Sequence, residues 1–228
     1  KIFLEFSDES KISIVKNGID IDEIKNFNPG FSKKFSINDE FILFLGRFHQ
    51  VKGIDTLLKA IDLIKNNPNF EKIKILIMGV DFGYERKMEE MINEYDISEK
   101  LIIIKKPKRE DVISAYNQCK FLVLPSKWEL SPLTPLEGFA CKKTVISTTA
   151  HGIPFTISHN ENCLLVPPSD PENLANAILE LVQNPEKCGK LAESGFKMVS
   201  NEANLESMSN KVYSVYEKAI KLSCERLG

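Results

Sequence analysis

Short apolar runs alternate with helix-period segments along most of the chain. Several of these runs are continuous, which is typical of parallel strands that are covered on both faces of a sheet. The predicted strands are Ile12–Val15, Phe41–Leu45, Ile73–Met78, Leu101–Ile104, Phe121–Leu124, Thr144–Ser147 and Cys163–Val166. Regular alternation of strand and helix predicts an α/β protein with a Rossmann-like, doubly wound parallel sheet, whose ligands bind at the carboxyl ends of the strands.

Helical periodicity is strongest between these strands and at the end of the chain. Gly53–Asn66 carries apolar residues at intervals of three, four and seven, which form one buried stripe. Tyr84–Tyr95 and Pro171–Gln183 repeat this pattern. From about Pro185 onward the chain is predicted to be helical, with no further strand.

These patterns divide the chain into three predicted regions. Residues 1–36 are interpreted as a helix tail, a strand, an Asn17-Gly18 turn and a polar connector. Residues 37–200 form the predicted sheet domain, and residues 201–228 a trailing helix whose apolar face is expected to pack on a partner domain. Since the chain begins at Lys1 and not at a methionine, we expect it to belong to a longer protein.

The overall composition argues against several classes of function. The 30 basic residues are balanced by 32 acidic ones, so no nucleic-acid partner is expected. No apolar run approaches the roughly 20 residues that span a bilayer, and no signal-peptide pattern is present. The five cysteines are scattered, as expected of free thiols in a reducing compartment. These features favour a cytoplasmic protein.

A basic loop with glycine at both ends follows the predicted strand Phe41–Leu45 and leads into a helix. It reads Gly46-Arg47-Phe48-His49-Gln50-Val51-Lys52-Gly53. Glycine permits the close approach of a ligand, and a helix start favours phosphate through its N–H groups and its dipole. Because Arg47 and Lys52 add two cations, we interpret the loop as a diphosphate site. The alternative is an ordinary solvated basic loop.

Two glutamates flank the predicted start of another helix, after the strand Phe121–Leu124. Glu129 precedes Ser131 and Pro132, which are predicted as the N-cap and the first helical residue, and Glu137 lies within the helix. At about 1.5 Å per residue, Glu137 is expected roughly 9 Å along that helix. A nucleoside diphosphate with its phosphates at the helix start would meet one carboxylate with its sugar and the other with its ribose.

Four short motifs occur in a fixed order along the chain. They are Asn17-Gly18-Ile19-Asp20, the G-R-x4-K-G loop, the E-x7-E pair and Leu164-Leu165-Val166-Pro167-Pro168. Through this ordered set, the chain from about Ile12 to Tyr216 resembles the C-terminal domain of the glycosyl transferases group 1 family, retaining enzymes of GT-B fold. The resemblance implies the donor-binding half of a nucleotide-sugar-dependent hexosyltransferase.

The resemblance also implies partners for the intact protein. Residues 1–36 would be an interdomain segment at the end of an N-terminal domain that the chain lacks, and the helix of residues 201–228 would pack toward that domain. The acceptor, a glycan or a lipid-linked molecule, would bind mainly to the N-terminal domain, so the isolated chain is expected to be inactive. Peripheral membrane association and a part in polysaccharide biosynthesis would fit such an enzyme. The nucleotide base, the sugar, the linkage formed and the oligomeric state are not predicted.

Roles for individual residues follow from the same resemblance. Arg47 and Lys52 would bind the donor diphosphate, Glu129 would lie near the donor sugar, and Glu137 would hold the ribose hydroxyls. The predicted catalytic residues are therefore Glu129, Arg47 and Lys52. The predicted donor-binding residues are Gly46, Arg47, Lys52, Leu133, Thr134 and Glu137, where Leu133 and Thr134 act through their amides. No metal ion and no cofactor is expected.

The chain departs from the family's pattern at several positions. Pro132 replaces a glycine and removes one amide donor. Lys142-Lys143 replace part of the motif that usually follows the helix, His151 replaces one of two glycines, and Phe155 replaces a common glutamate. These departures leave the donor preference open and leave room for a weak or altered enzyme.

Two further patterns are interpreted as structural. Asp20-Ile21-Asp22 spells the D-x-D motif of metal-dependent glycosyltransferases, but it follows an Asn-Gly turn and fits a polar connector. His49, His151 and His159 are scattered, and structural or solvated roles are favoured for them, least firmly for His151 because it falls near the expected cleft.

Two other functions stay open from the sequence. One is a different nucleotide-sugar enzyme of GT-B fold, an epimerase or a phosphorylase, which product analysis would separate from a transferase. The other is a non-catalytic nucleotide-binding module on the same sheet, because a fold alone does not define a function. Failure to bind any nucleotide sugar would favour the module.

Overall fold

Six parallel strands form one sheet in the computed structural model, which describes residues 12–227 and their side chains as far as residue 223. The strands are β1 Glu40–Leu45, β2 Ile73–Gly79, β3 Leu101–Lys105, β4 Leu122–Leu124, β5 Val145–Thr148 and β6 Cys163–Val166. Their order across the sheet is β3-β2-β1-β4-β5-β6. This is the order of a Rossmann fold, in which the winding direction reverses between β1 and β4. The predicted fold class is confirmed.

Helices cover both faces of the sheet. They are α1 Ile21–Lys25, α2 Phe31–Lys34, α3 Ile54–Ile64, α4 Glu85–Glu94, α5 Arg109–Gln118, α6 Thr134–Ala140, α7 Pro171–Gln183, α8 Pro185–Glu202 and α9 Leu205–Leu227. The three helices with the strongest periodicity, α3, α4 and α7, begin and end within two residues of their predicted bounds. The prediction of helix without strand after Pro185 is also confirmed for the described residues.

The core has two halves because each central strand is buried on both faces. Along β1, Ile42 and Phe44 pack into the half that contains α3, α4 and α7, whereas Leu43 packs into the other half with Phe139 of α6. All four side chains have no exposed surface. Full burial of such a side chain contributes about 1.5–3 kcal/mol. This two-sided burial explains why the strands read as continuous apolar runs.

The first predicted strand, Ile12–Val15, is wrong. Residues 12–18 have no regular secondary structure, and Ile14 is 88% exposed. Further along, Ile19 forms an isolated bridge with Asn204, and a Cβ on Gly18 would lie 2.2 Å from the Asn204 carbonyl oxygen. The connector therefore packs against the link between α8 and α9 and does not extend the sheet. The predicted helix tail falls on residues 1–11, outside the described residues.

The C-terminal helix α9 has an exposed apolar stripe. Tyr213, Tyr216 and Ile220 are 65%, 66% and 64% exposed, at positions that share one helix face. Its predicted packing toward another domain stays a prediction. Within residues 12–227, no helix is long and apolar enough to cross a membrane.

Four of the five cysteines have described side chains, and all four are free thiols. Cys119 and Cys163 are buried, and burial raises the pKa of each thiol to about 12, so both stay protonated near neutral pH. Cys141 and Cys188 are partly buried. The side chain of Cys224 lies outside the described residues. The prediction of free thiols is confirmed for these four cysteines.

Candidate donor-binding site

The two segments predicted to bind ligand leave the sheet from adjacent strands. Gly46–Gly53 follows β1, and the segment that carries Glu129 and Glu137 follows β4. Strands β1 and β4 pair with each other at Leu43 and Leu122, at the point where the winding direction reverses. Ligands of open α/β sheets bind in the crevice that this reversal creates. Both segments therefore lie where the fold provides a site.

The Gly46–Gly53 loop is packed directly against the loop that follows β4. Gly53 has φ +70°, and a Cβ there would lie 1.9 Å from the Pro125 carbonyl oxygen. Two physical constraints thus require glycine at this position, the left-handed backbone and the close approach. The amide of Lys127 also donates a hydrogen bond of 2.8 Å to the Val51 carbonyl. These contacts hold the two loops as one unit.

Lys52 and Glu129 form an ion pair across this junction. The Lys52 ammonium contacts Glu129 Oε1, and the two side chains are only 15% and 13% exposed. Ser126 donates a second hydrogen bond of 3.0 Å to the same carboxylate oxygen. The sequence predicted that Lys52 would meet phosphate and that Glu129 would meet the sugar. The structure brings the two side chains together, and the pairing itself was not predicted.

Arg47 lies in the same loop as Lys52 but contacts a different neighbour. Its guanidinium lies 5.1 Å from the ring centroid of Phe82, in the loop after β2. That loop is fixed because Phe82 donates a 3.0 Å backbone hydrogen bond to Phe48. Among the described residues, no ion pair involves Arg47. Arg47 is therefore a solvent-accessible cation beside the pair formed by Lys52.

Gly46 has no packing constraint of its own. A Cβ at this position would meet Phe44 at 3.6 Å and Lys52 at 3.8 Å, which are ordinary van der Waals distances. Packing within the described protein therefore does not require glycine here. A ligand that approaches the backbone closely would provide the reason that packing does not.

The predicted start of the helix after β4 is wrong by two residues. Helix α6 begins at Thr134, with Leu133 at the N-cap position, and no side chain caps it. Ser131 instead accepts a hydrogen bond of 2.9 Å from Asn17, which is 114 residues away in the chain. Pro132 precedes the helix as a buried loop residue. The amides at the start of α6, including that of Thr134, are left without a side-chain cap.

Glu137 lies in α6 and is held by α5. The Tyr116 hydroxyl donates a hydrogen bond of 2.7 Å to Glu137 Oε2, and Arg109 Nη2 lies 2.7 Å from Oε1. Tyr116 is fully buried, and burial together with the Glu137 charge raises the pKa of Tyr116 well above its ordinary value. The phenol therefore keeps its proton and acts as a donor. Neither partner was predicted from the sequence, although their spacing of seven places them on one face of a helix.

One departure from the family pattern lies beside Glu129. The amide of Gly152 donates a hydrogen bond of 2.9 Å to the Glu129 carbonyl. The His151 ring lies 5.9 Å from the Trp128 ring, and Phe155 is 80% exposed. His151, which replaces the usual glycine, therefore borders the candidate site, whereas Phe155, which replaces the usual glutamate, is exposed to solvent.

The Lys142-Lys143 departure lies at the opposite ends of the strands. Lys142-Lys143 occupy the turn between α6 and β5, at the amino end of that strand. The Lys142 ammonium lies over the ring of Phe196. This substitution is therefore remote from the carboxyl ends of the strands.

The D-x-D sequence and two of the histidines have structural roles. Asp20 caps α1 and accepts hydrogen bonds of 2.9 and 3.0 Å from the amides of Asp22 and Glu23. His49 accepts from the amide of Val51, and His159 from the amide of Leu165. The structural interpretation of these residues agrees with the contacts observed. His151 packs against Trp128 and is the one histidine at the candidate site.

The fold and the site together define a class of protein. A sheet with Rossmann topology presents a largely buried Lys–Glu pair, an accessible arginine and a fixed second carboxylate on the segments that follow β1 and β4, an arrangement suited to an anionic ligand with hydroxyl groups. The model of the family described as "Glycosyl transferases group 1" matches residues 29–198 of the chain. The chain belongs to this family.

Individual relatives agree with this assignment. An uncharacterized glycosyltransferase, MJ1178, of Methanocaldococcus jannaschii is 32% identical over 211 residues, which are 90% of this chain and 57% of that protein. A solved glycosyltransferase from Rickettsia africae is 25% identical, with a TM-score of 0.84, over 94% of this chain and 59% of that chain. The chain spans about half the length of the curated relatives that it matches.

A second similar structure was solved with a ligand. Anabaena Alr3699/HepE in complex with UDP-glucose has a TM-score of 0.80 and 18% identity over 96% of this chain and 60% of that chain. At that identity the similarity concerns the fold, which is the Rossmann-like half of a GT-B glycosyltransferase.

Proposed function

We propose that this chain binds a nucleotide-diphosphate sugar and supplies the donor half of a retaining glycosyltransferase. The observation that carries the proposal is the Lys52–Glu129 pair at the switch point of the sheet, on the same segment after β4 that carries Glu137. Membership of the family supports it, and so does the bound UDP-glucose of HepE. The sugar transferred would be a hexose, and the acceptor a glycan or a lipid-linked molecule.

The diphosphate would replace Glu129 as the partner of Lys52. In the structure the Lys52 ammonium is bound to a carboxylate that is 13% exposed, so the pair is largely shielded from water. A diphosphate offers more negative charge to the same ammonium, and Arg47 and the uncapped start of α6 would add to the attraction. Glu129 would then turn toward the sugar. Charge on the departing diphosphate is stabilised by the same groups, which favours sugar transfer.

Donor binding by the isolated chain, without sugar transfer, is the first expected result. The chain spans about half the length of its curated relatives, and we place the acceptor site on the remainder of the intact protein. Calorimetry would detect donor binding, and product analysis after incubation with candidate acceptors would detect transfer. Sustained transfer by the 228-residue chain would contradict this division of the site.

Donor binding is also expected to be independent of divalent metal ions. Lys52 and Arg47 would supply the positive charge that a metal provides elsewhere, and Asp20 of the D-x-D sequence caps a helix. Calorimetric titrations with Mg²⁺ and with a chelator should give the same affinity. Asp20→Asn, which keeps a capping side chain, is the matched control and should bind donor like the parent. A large loss of affinity on chelation would mean that a metal site has been overlooked.

A further inference from the structure

The Glu137 carboxylate is held at both oxygens by one face of α5. Arg109 begins this helix, and Tyr116 lies seven residues later on the same face. Each contacts a different oxygen of Glu137 at 2.7 Å. The glutamate thus has a fixed orientation, and its side chain keeps 15% of its surface exposed.

Arg109 is itself oriented by a second carboxylate. Its guanidinium donates two hydrogen bonds, of 3.0 and 2.8 Å, to Glu23 of α1. These bonds raise the pKa of Arg109 above its ordinary value. Helix α1 is fixed in turn, because Asn117 donates a hydrogen bond of 3.1 Å to the Ile24 carbonyl. Arg109 therefore reaches Glu137 from a rigid and permanently charged position.

The contacts leave acceptor positions on the carboxylate that match a diol. An ionised carboxylate accepts about four hydrogen bonds, two at each oxygen. One position on each oxygen of Glu137 is taken by Tyr116 or Arg109, and one on each is left. Two adjacent hydroxyl groups of a ribose would fill these two positions. We infer that Arg109 and Tyr116 are positioning residues, which set Glu137 to bind the ribose diol of the donor.

This inference rests on the proposed function, and its test must separate the two. The ligand is the nucleoside diphosphate that binds the parent most tightly among UDP, GDP and ADP, compared with its 2′,3′-dideoxy analogue. The dissociation constant of the dideoxy analogue divided by that of the nucleoside diphosphate measures recognition of the diol alone, because phosphate and base contacts cancel. A residue that merely stabilises the fold would leave this ratio unchanged.

Arg109→Gln and Tyr116→Phe are each expected to lower the ratio by roughly threefold to tenfold, the effect of one misplaced hydrogen bond. Tyr116→Phe keeps the buried ring and removes the hydroxyl alone. Arg109→Lys keeps the charge and should recover part of the ratio. The matched control is Lys34→Met. It removes a 2.5 Å ion pair with Asp111, which lies on α5 like Arg109 and Tyr116, and it should leave the ratio unchanged.

The possible results have different meanings. If the parent distinguishes the two ligands, and Arg109→Gln and Tyr116→Phe give the same ratio of dissociation constants as the parent, the inference is wrong and the proposed function stands. The inference is also wrong if these variants lose both ligands in equal proportion, as a general structural defect would produce. A parent that binds no nucleoside diphosphate, or binds the dideoxy analogue as tightly, would overturn the ribose site and the inference together.

Discussion

Replacement of Lys52 by alanine should weaken the binding of nucleoside diphosphate and nucleotide sugar alike, by roughly 10- to 150-fold, the effect of losing one hydrogen bond between charged groups. Both ligands carry the diphosphate, so both lose the same cation. The structure adds a second reason. Without Lys52, the Glu129 carboxylate keeps its largely buried position without a cationic partner and repels the phosphates.

Calorimetric titration of the parent and of Lys52→Ala with both ligands would measure this loss. Lys59→Ala is a suitable control, because Lys59 is an exposed lysine on the adjacent helix α3 and should have little effect. Equal affinities in the parent and in Lys52→Ala would identify the Gly46–Gly53 loop as a solvated basic loop.

Glu129→Gln should separate the two ligands. The neutral amide no longer competes for Lys52, so nucleoside diphosphate should bind at least as tightly as to the parent. The nucleotide sugar should lose the contact with its hexose. In the intact enzyme, loss of this orientation should lower sugar transfer by about 10²-fold. The two effects are expected to differ in sign, because Glu129 would oppose the phosphate and hold the sugar.

The measurements are two titrations of the isolated chain and a transfer assay of the intact protein. Glu172→Gln is the matched control, since Glu172 and Glu180 have the same spacing as Glu129 and Glu137 but are both exposed on α7. It should match the parent in every assay. If Glu129→Gln weakened nucleoside diphosphate as much as nucleotide sugar, the site would stand but the separate roles of the two glutamates would not.

The sheet was predictable because its signals are local and repeated. Strands β1 and β2 are buried on both faces and read as unbroken apolar runs, and α3 and α7 have clear periodicity. Ile12–Val15 has the same apolar character, but a strand also needs a neighbour to pair with. Among the described residues that neighbour is absent, and Ile14 is exposed to solvent.

The site was predictable where residues directly follow a strand. Lys52 and Glu129 follow β1 and β4, so the topology brings them together once the sheet is known. The start of α6 was mispredicted because Ser131-Pro132 is a suitable start by local pattern, whereas the helix begins at Thr134, after Leu133, which has no capping side chain. The distant contact between Ser131 and Asn17 is absent from any local pattern.

The helix that positions Glu137 was missed for a different reason. Arg109 and Tyr116 are ordinary helix residues until the partner that their face contacts is known. Their importance comes from packing between α5 and α6. A search for polar residues seven apart on a helix next to a predicted site would have found them.

The central claim, that this chain is a nucleotide-sugar-binding domain, is tested most directly by thermal unfolding of the chain with a panel of UDP-, GDP- and ADP-sugars. A ligand that binds only the folded state raises its stability by an amount set by concentration and affinity. We expect one class of nucleotide to raise the melting temperature of the parent, and this shift to be much smaller in Lys52→Ala. A panel in which no nucleotide sugar shifts the parent, or in which Lys52→Ala shifts as much as the parent, would contradict the account.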